Sequence, residues 1–146
     1  MKSSKLGQFH FVKLDKGESV LESITAYIND HNIRSATLSA IGVLKEIELG
    51  YYELKTGKYL TKYFDHDLEL LSLNGNVGTL NGKQHPHIHV VLGDSELNCV
   101  GGHLLKAKVG VTCELFITGS DIILERLYDD NVKLNLLAPS DVEVKK

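Results

Sequence analysis

Beyond Ile33 the apolar residues recur at every second position and short polar turns separate the runs, a pattern that points to paired β-strands. Ala36, Leu38 and Ala40 alternate with Ser35, Thr37 and Ser39, and Gly42 marks a bulge or bend. Over 45–54, Ile47, Leu49 and Tyr51 oppose Glu46, Glu48 and Tyr52. The turn at 55–58 then leads to a hairpin partner at 59–64. Residues 68–73 read as a central strand. Asn74-Gly75-Asn76 and Asn81-Gly82-Lys83 read as turns, as does Gly93-Asp94-Ser95. Residues 109–118 form a last core strand, followed by shorter ones at 122–128 and 134–137.

The first thirty-odd residues read differently. Met1 to Leu6 is a polar lead-in, and 8–14 alternate as a first strand with His10, Val12 and Leu14 on one face. Ser19 and Glu22 resemble a capping box. Val20, Leu21, Ile24, Tyr27 and Ile28 then fall on one helical stripe that ends near His31 and Asn32, where His31 suits the negative end of the helix dipole. With no crossover helices between strands, a parallel sheet is disfavoured. The expected class is α+β: a mostly antiparallel sheet of about seven strands with one main helix packed on it.

The 146 residues suit one domain spanning 1–146, its core at about 8–137 and a loose charged tail from 139 to 146. A formal charge of −3 supplies no overall positive field for nucleic acid or an anionic membrane. Cys99 and Cys113 sit in apolar runs, which fits reduced, buried thiols better than a disulfide framework. No run approaches the ~20 apolar residues that span a bilayer. The first thirty residues show no charged start followed by an apolar stretch, so a cytoplasmic location is expected.

Four of the seven histidines fall between positions 85 and 103. In a strand through 87–92, parity places His87 and His89 on one side and Ile88 and Val90 on the other. Thirteen residues lie between His89 and His103, room for a turn and a return strand that carries His103 back beside the pair. Three imidazoles with a position left open is the pattern of ligand-accepting zinc rather than closed structural zinc. Iron, copper or nickel suit the same donors. The alternative is a pH-responsive or structural histidine cluster. His85 shares the parity but is separated by Pro86, which places it at the mouth of the site. Gly101 and Gly102 allow close backbone approach or positive φ beside His103; a plain bulge explains them equally well. Glu114 and Glu69 are candidate carboxylates for holding an imidazole tautomer or taking a proton. Glu114 suits a solvated sheet face or a subunit contact as well.

Several segments together resemble one family. They are Leu14-Asp15-Lys16-Gly17-Glu18, Ala40-Ile41-Gly42, residues 69–76, His87-x-His89 with Gly93-Asp94, and Gly101-Gly102-His103-Leu104. The chain is similar over roughly 8–137 to the plants-and-prokaryotes conserved (PPC) domain, which accompanies AT-hooks in plants and stands alone in prokaryotes. The resemblance implies a mostly antiparallel sheet with a packed helix and a homotrimer. It also implies a metal cluster at His87, His89 and His103, plausibly zinc, near a subunit boundary. It does not bring DNA binding with it, because no Arg-Gly-Arg-Pro core is present and Lys145-Lys146 is a small basic patch.

Two functions compete. One is a trimeric metal-binding domain, as binder or enzyme, whose open position takes a small ligand. The other is a regulatory or scaffolding protein, DNA-binding or transcription-associated, with the histidines incidental.

Overall fold

A computed structural model describes residues 1–139 in the order β1 (Lys2–Leu6), β2 (Phe9–Asp15), α1 (Val20–Asp30), β3 (Ala36–Glu53), β4 (Lys58–Phe64), β5 (Leu68–Leu80), β6 (Lys83–Gly93), β7 (Cys99–Gly119), β8 (Leu124–Asp129) and β9 (Leu134–Pro139). The charged tail expected over 139–146 begins at the last residue of β9, and from 140 onward it lies outside the described residues. β3 pairs antiparallel with β5 along one edge and with β7 along the other. β6 pairs with β5 and with the first part of β7. Pairing therefore runs β3–β5–β6–β7 and back to β3, a closed circuit. β2 and β1 extend from the second half of β7, β4 pairs with the end of β3, and the β8–β9 hairpin joins β5 at Thr79 and Glu125.

Alternation explains the interior. Leu38, Ala40 and Leu44 of β3, Leu73 and Val77 of β5, Ile88, Val90 and Leu92 of β6, and Leu115 and Ile117 of β7 are all buried. Each full burial of a Leu or Ile contributes about 1.5–3 kcal/mol. Helix α1 lays Val20, Ile24, Tyr27 and Ile28 against this core, over β6 and β7. Ser19 is its N-cap but makes no side-chain cap bond, so the capping box does not form.

The expected α+β class is corrected. The described residues are 68% strand and 8% helical, with nine strands and one short helix, a mainly-β fold. Periodicity located the helix. It is a minor part of the architecture, because the strands of the closed circuit bury one another and the helix packs mainly over β6 and β7. Residues 2–6 are a strand rather than a loose lead-in, zipped to β2 from Lys2↔Lys13 to Leu6↔Phe9. Asn74-Gly75-Asn76 is not a turn but the middle of β5. Only one of the two cysteines is buried: Cys113 is enclosed and its thiol pushed up to about 12 by burial, whereas Cys99 is exposed. No helix among the described residues is long and apolar enough to cross a membrane.

Gly42 is the bulge expected of it. The β3–β5 register slips between Ala40 and Gly42, and the β3–β7 register slips between Gly42 and Leu44. Its φ of 155° and the Thr112 carbonyl against the place of a Cβ leave no room for a side chain. Gly42→Ala should cost about 2–3 kcal/mol of stability by overpacking, read as a lower urea midpoint at unchanged slope.

Candidate metal centre

β6 carries His87 and His89 with the parity expected, and the β6–β7 register sets His89 directly opposite His103. The turn at 94–98 that allows this is closed by Asp94, whose carboxylate accepts from the backbone amides of Glu96 and Asn98. The pairing also needs bare backbone. A Cβ on Gly101 would meet the Val90 carbonyl oxygen at 2.9 Å, and one on Gly102 would lie 3.0 Å from the Gly50 carbonyl oxygen. Both glycines therefore serve close approach between β6, β7 and β3. Neither has a positive φ, and the β6–β7 ladder has no bulge there.

The three imidazoles meet. His87 Nε2 lies 3.2 Å from His89 Nε2, and one nitrogen from each of the three rings can be chosen so that no two are more than 4.8 Å apart. Zinc–nitrogen bonds of about 2.0–2.1 Å in tetrahedral array put ligand nitrogens roughly 3.3–3.4 Å apart. The His87–His89 pair, at 3.2 Å, is close to that spacing, and a His103 nitrogen lies within 4.8 Å of a nitrogen on each. Nδ1 of His103 is buried with no hydrogen-bond partner, a polar atom that coordination or a bound water would satisfy. Among the described residues no other trio of His, Cys, Asp or Glu converges in this way. The donor set fits a borderline-soft divalent cation.

The surroundings favour neutral, metal-ready imidazoles. His87 is pulled down to about 4, first by burial and then by the Arg126 charge and the other histidines. His103 is lowered by burial, then by His89, His85 and Arg126. His85 is lowered by burial and Arg126. His85 stands exposed at the rim of a hollow of ≈ 230 Å³ that also contains His87, His103, Tyr59, Leu80 and Arg126. The two carboxylate candidates lie elsewhere. Glu69 and Glu114 face a separate shallow depression with Ile41, Leu71 and Thr112. Glu69 pairs with Gly93, four residues along β6 from His89. Neither can hold an imidazole of the cluster. Both lie on strands where the alternation places them, but parity along one strand does not say which part of a curled sheet a residue faces.

Two participants escaped sequence reasoning. Asn76, read as a turn residue, lies opposite His87 in the β5–β6 ladder. Its Oδ1 accepts a 2.6 Å hydrogen bond from Arg126, whose other Nη donates to the Asn135 carbonyl at 3.2 Å. Arg126 is only 8% exposed. Its neighbours along the chain carry no clear signal of this burial: Leu127, on the opposite face of β8, is itself exposed. The remaining histidines have local roles. His10 is buried with Nδ1 3.1 Å from the Tyr27 hydroxyl, His31 bonds the Tyr27 carbonyl at the end of α1, and exposed His66 lies beside Asp65.

The depressed histidines set the pH response of metal-free protein. Their folded pKa values lie below the unfolded value near 6.5, so the unfolded chain takes up protons first. Their stabilising contribution is full above about 6.5 and declines as pH falls toward about 4. Thermal melts of the metal-free protein should show Tm falling through that window, with a shallower fall for His87→Gln.

The fold has close counterparts. A protein from Archaeoglobus fulgidus described as metal-containing is 34% identical, with a TM-score of 0.82 over 92% of this chain and 95% of that one. A Bacteroides thetaiotaomicron protein described as a candidate for DNA binding is 25% identical, with a TM-score of 0.91 over 94% and 96%. A plant- and prokaryote-conserved protein from Pyrococcus horikoshii is 28% identical, with a TM-score of 0.84 over 97% of each chain. No curated protein shows significant sequence similarity. The model of the Plants and Prokaryotes Conserved (PCC) domain matches residues 1–121, which include all three clustered histidines and stop short of β8 and β9. The chain belongs to the Plants and Prokaryotes Conserved domain family.

Proposed function

We propose that this protein binds one divalent transition-metal ion per subunit, zinc foremost, through His87, His89 and His103, and presents it to a small ligand. The observation that carries the reading is the convergence of three imidazoles from two strands, with no acidic residue among the described residues that line the adjoining hollow. A bound zinc ion would act there as a Lewis acid and would acidify a water molecule. The chain itself supplies three imidazole donors, burial that disfavours protonation of His87 and His103, and a hollow on one side for the ligand. The metal-containing relative supports the same reading.

The subunit is proposed to act as a homotrimer. Ile41, Leu71, Val91 and Val111 leave apolar side chains exposed on β3, β5, β6 and β7, 55% for Ile41 and 62% for Val111, more than an isolated sheet face needs to show. Light scattering should give three times the 16.2 kDa of one chain. A monomer would sink the assembly and leave the metal reading standing.

The DNA-binding alternative draws on how two structural neighbours are described. The net charge of −3 opposes it. Protein prepared without a histidine tag should carry close to one metal ion per chain. His87→Ala and His103→Ala should each lose it while keeping the wild-type far-ultraviolet spectrum. Wild type that takes up no zinc when supplied with it would refute the metal site. Gel-shift titration in low salt should show no complex with duplex DNA; a complex that dissociates steeply as salt rises would favour the alternative.

A further inference from the structure

Arg126 poses a problem of charge. It is more than nine-tenths buried, yet no carboxylate among the described residues pairs with it. Two neutral oxygens, Asn76 Oδ1 and the Asn135 carbonyl, accept from its Nη atoms, and its buried Nε has no partner. A guanidinium has five N–H donors in a fixed fork that matches an oxyanion. An unpaired buried charge costs several kcal/mol, so proteins retain one where something else completes it.

The setting deepens the problem. Arg126 shares its hollow with His85, His87 and His103, and the rest of the described wall is Tyr59, Leu80, Leu134, Asn135 and Leu136. None of these is acidic. Three imidazoles are neutral donors, so a divalent ion at the cluster would leave the hollow with two uncompensated positive centres. The β5 position that anchors Arg126 is Asn76, cross-strand neighbour of His87, so the guanidinium is tied to the flank of the histidine cluster. The leucines suit an organic body rather than a bare inorganic ion.

We propose that this hollow binds a small organic carboxylate, its charged end held between Arg126 and the metal at the histidine cluster and its apolar end against Leu80, Leu134 and Leu136. The inference rests on the metal reading for one of its two contacts; the Arg126 contact stands without it. Arg126 is then a binding residue supplied by the β8–β9 hairpin, which lies beyond the part of the chain that the family model matches. The volume of ≈ 230 Å³ restricts the ligand to a few carbon atoms.

The test is calorimetric titration of full-length protein with isobutyrate, its neutral isostere isobutyramide, and inorganic phosphate. Each is run on zinc-loaded and on metal-free protein, with cobalt(II)-substituted protein reporting ligand entry through its visible spectrum. Isobutyrate should bind zinc-loaded wild type and shift the cobalt spectrum. Arg126→Gln should weaken it at least tenfold and Arg126→Lys less, with zinc content and melting transition retained in both. Isobutyramide binding as tightly as isobutyrate, or an affinity unchanged in Arg126→Gln, would overturn the proposal. Tighter binding of phosphate would overturn the choice of carboxylate. If zinc does not bind at all, the metal reading fails alone, and Arg126-dependent binding of isobutyrate to metal-free protein decides the anion site. Should Arg126→Gln not fold, the Lys variant and the amide comparison carry the decision.

Discussion

Strand β6 is hydrogen-bonded to β5 along its length and to β7 over its last five residues, and this double pairing turns sequence separation into contact. The β6–β7 ladder sets His89 across from His103, while the β5–β6 ladder sets His87 across from Asn76. A slip of one residue in either ladder would send the affected side chains to the opposite face. The buried partners of the cluster guard against such a slip. Ile88 and Val90 alternate with the histidines, and moving them to the surface would expose two core residues. The same alternation that buries the core thus holds the donor nitrogens in place.

Close approach is the second requirement, and glycine meets it at several points. Gly75 lies against the His87 carbonyl, Gly101 against the Val90 carbonyl, and Gly102 beneath Gly50. Each removes a side chain where two or three strands converge. The cost is the greater backbone freedom that glycine loses on folding. It is incurred where β7 is clasped between β6 and β3, the position that brings His103 in. Tyr59, whose ring centroid is 5.6 Å from that of His103, closes this side of the site.

The site is built in two layers of different origin. The histidines come from the circuit of β3, β5, β6 and β7, which lies within the family match. The guanidinium and two of the three wall leucines, Leu134 and Leu136, come from the terminal hairpin outside it; Leu80 comes from β5. On the proposed reading, such a division separates metal-holding from ligand-selecting residues. The hairpin joins the rest through the β5–β8 bridge, the bonds that Leu124 makes with Thr79 and Ser35, the bond that the Tyr52 hydroxyl donates to the Val132 carbonyl, and the Arg126 bond to Asn76.

Period-two alternation in 36–40 and 109–118, the helical stripe from Val20 to Ile28 and the bulge at Gly42 are local properties, and the sequence alone determined them because strand and helix periods write themselves into neighbouring residues. The His87–His89 pairing is of the same kind, set by parity within one strand. The return of His103 could be proposed from spacing. Its meeting with the pair was decided by a ladder between residues fourteen positions apart. The mainly-β class, the strand through Asn74-Gly75-Asn76, the removal of Glu69 and Glu114 to another depression and the arrival of Arg126 were decided by tertiary structure alone. Those outcomes depend on how far the sheet curls and which edges it joins. Curvature is a sum of small twists and close glycine contacts across many strands, and no short window of sequence contains it.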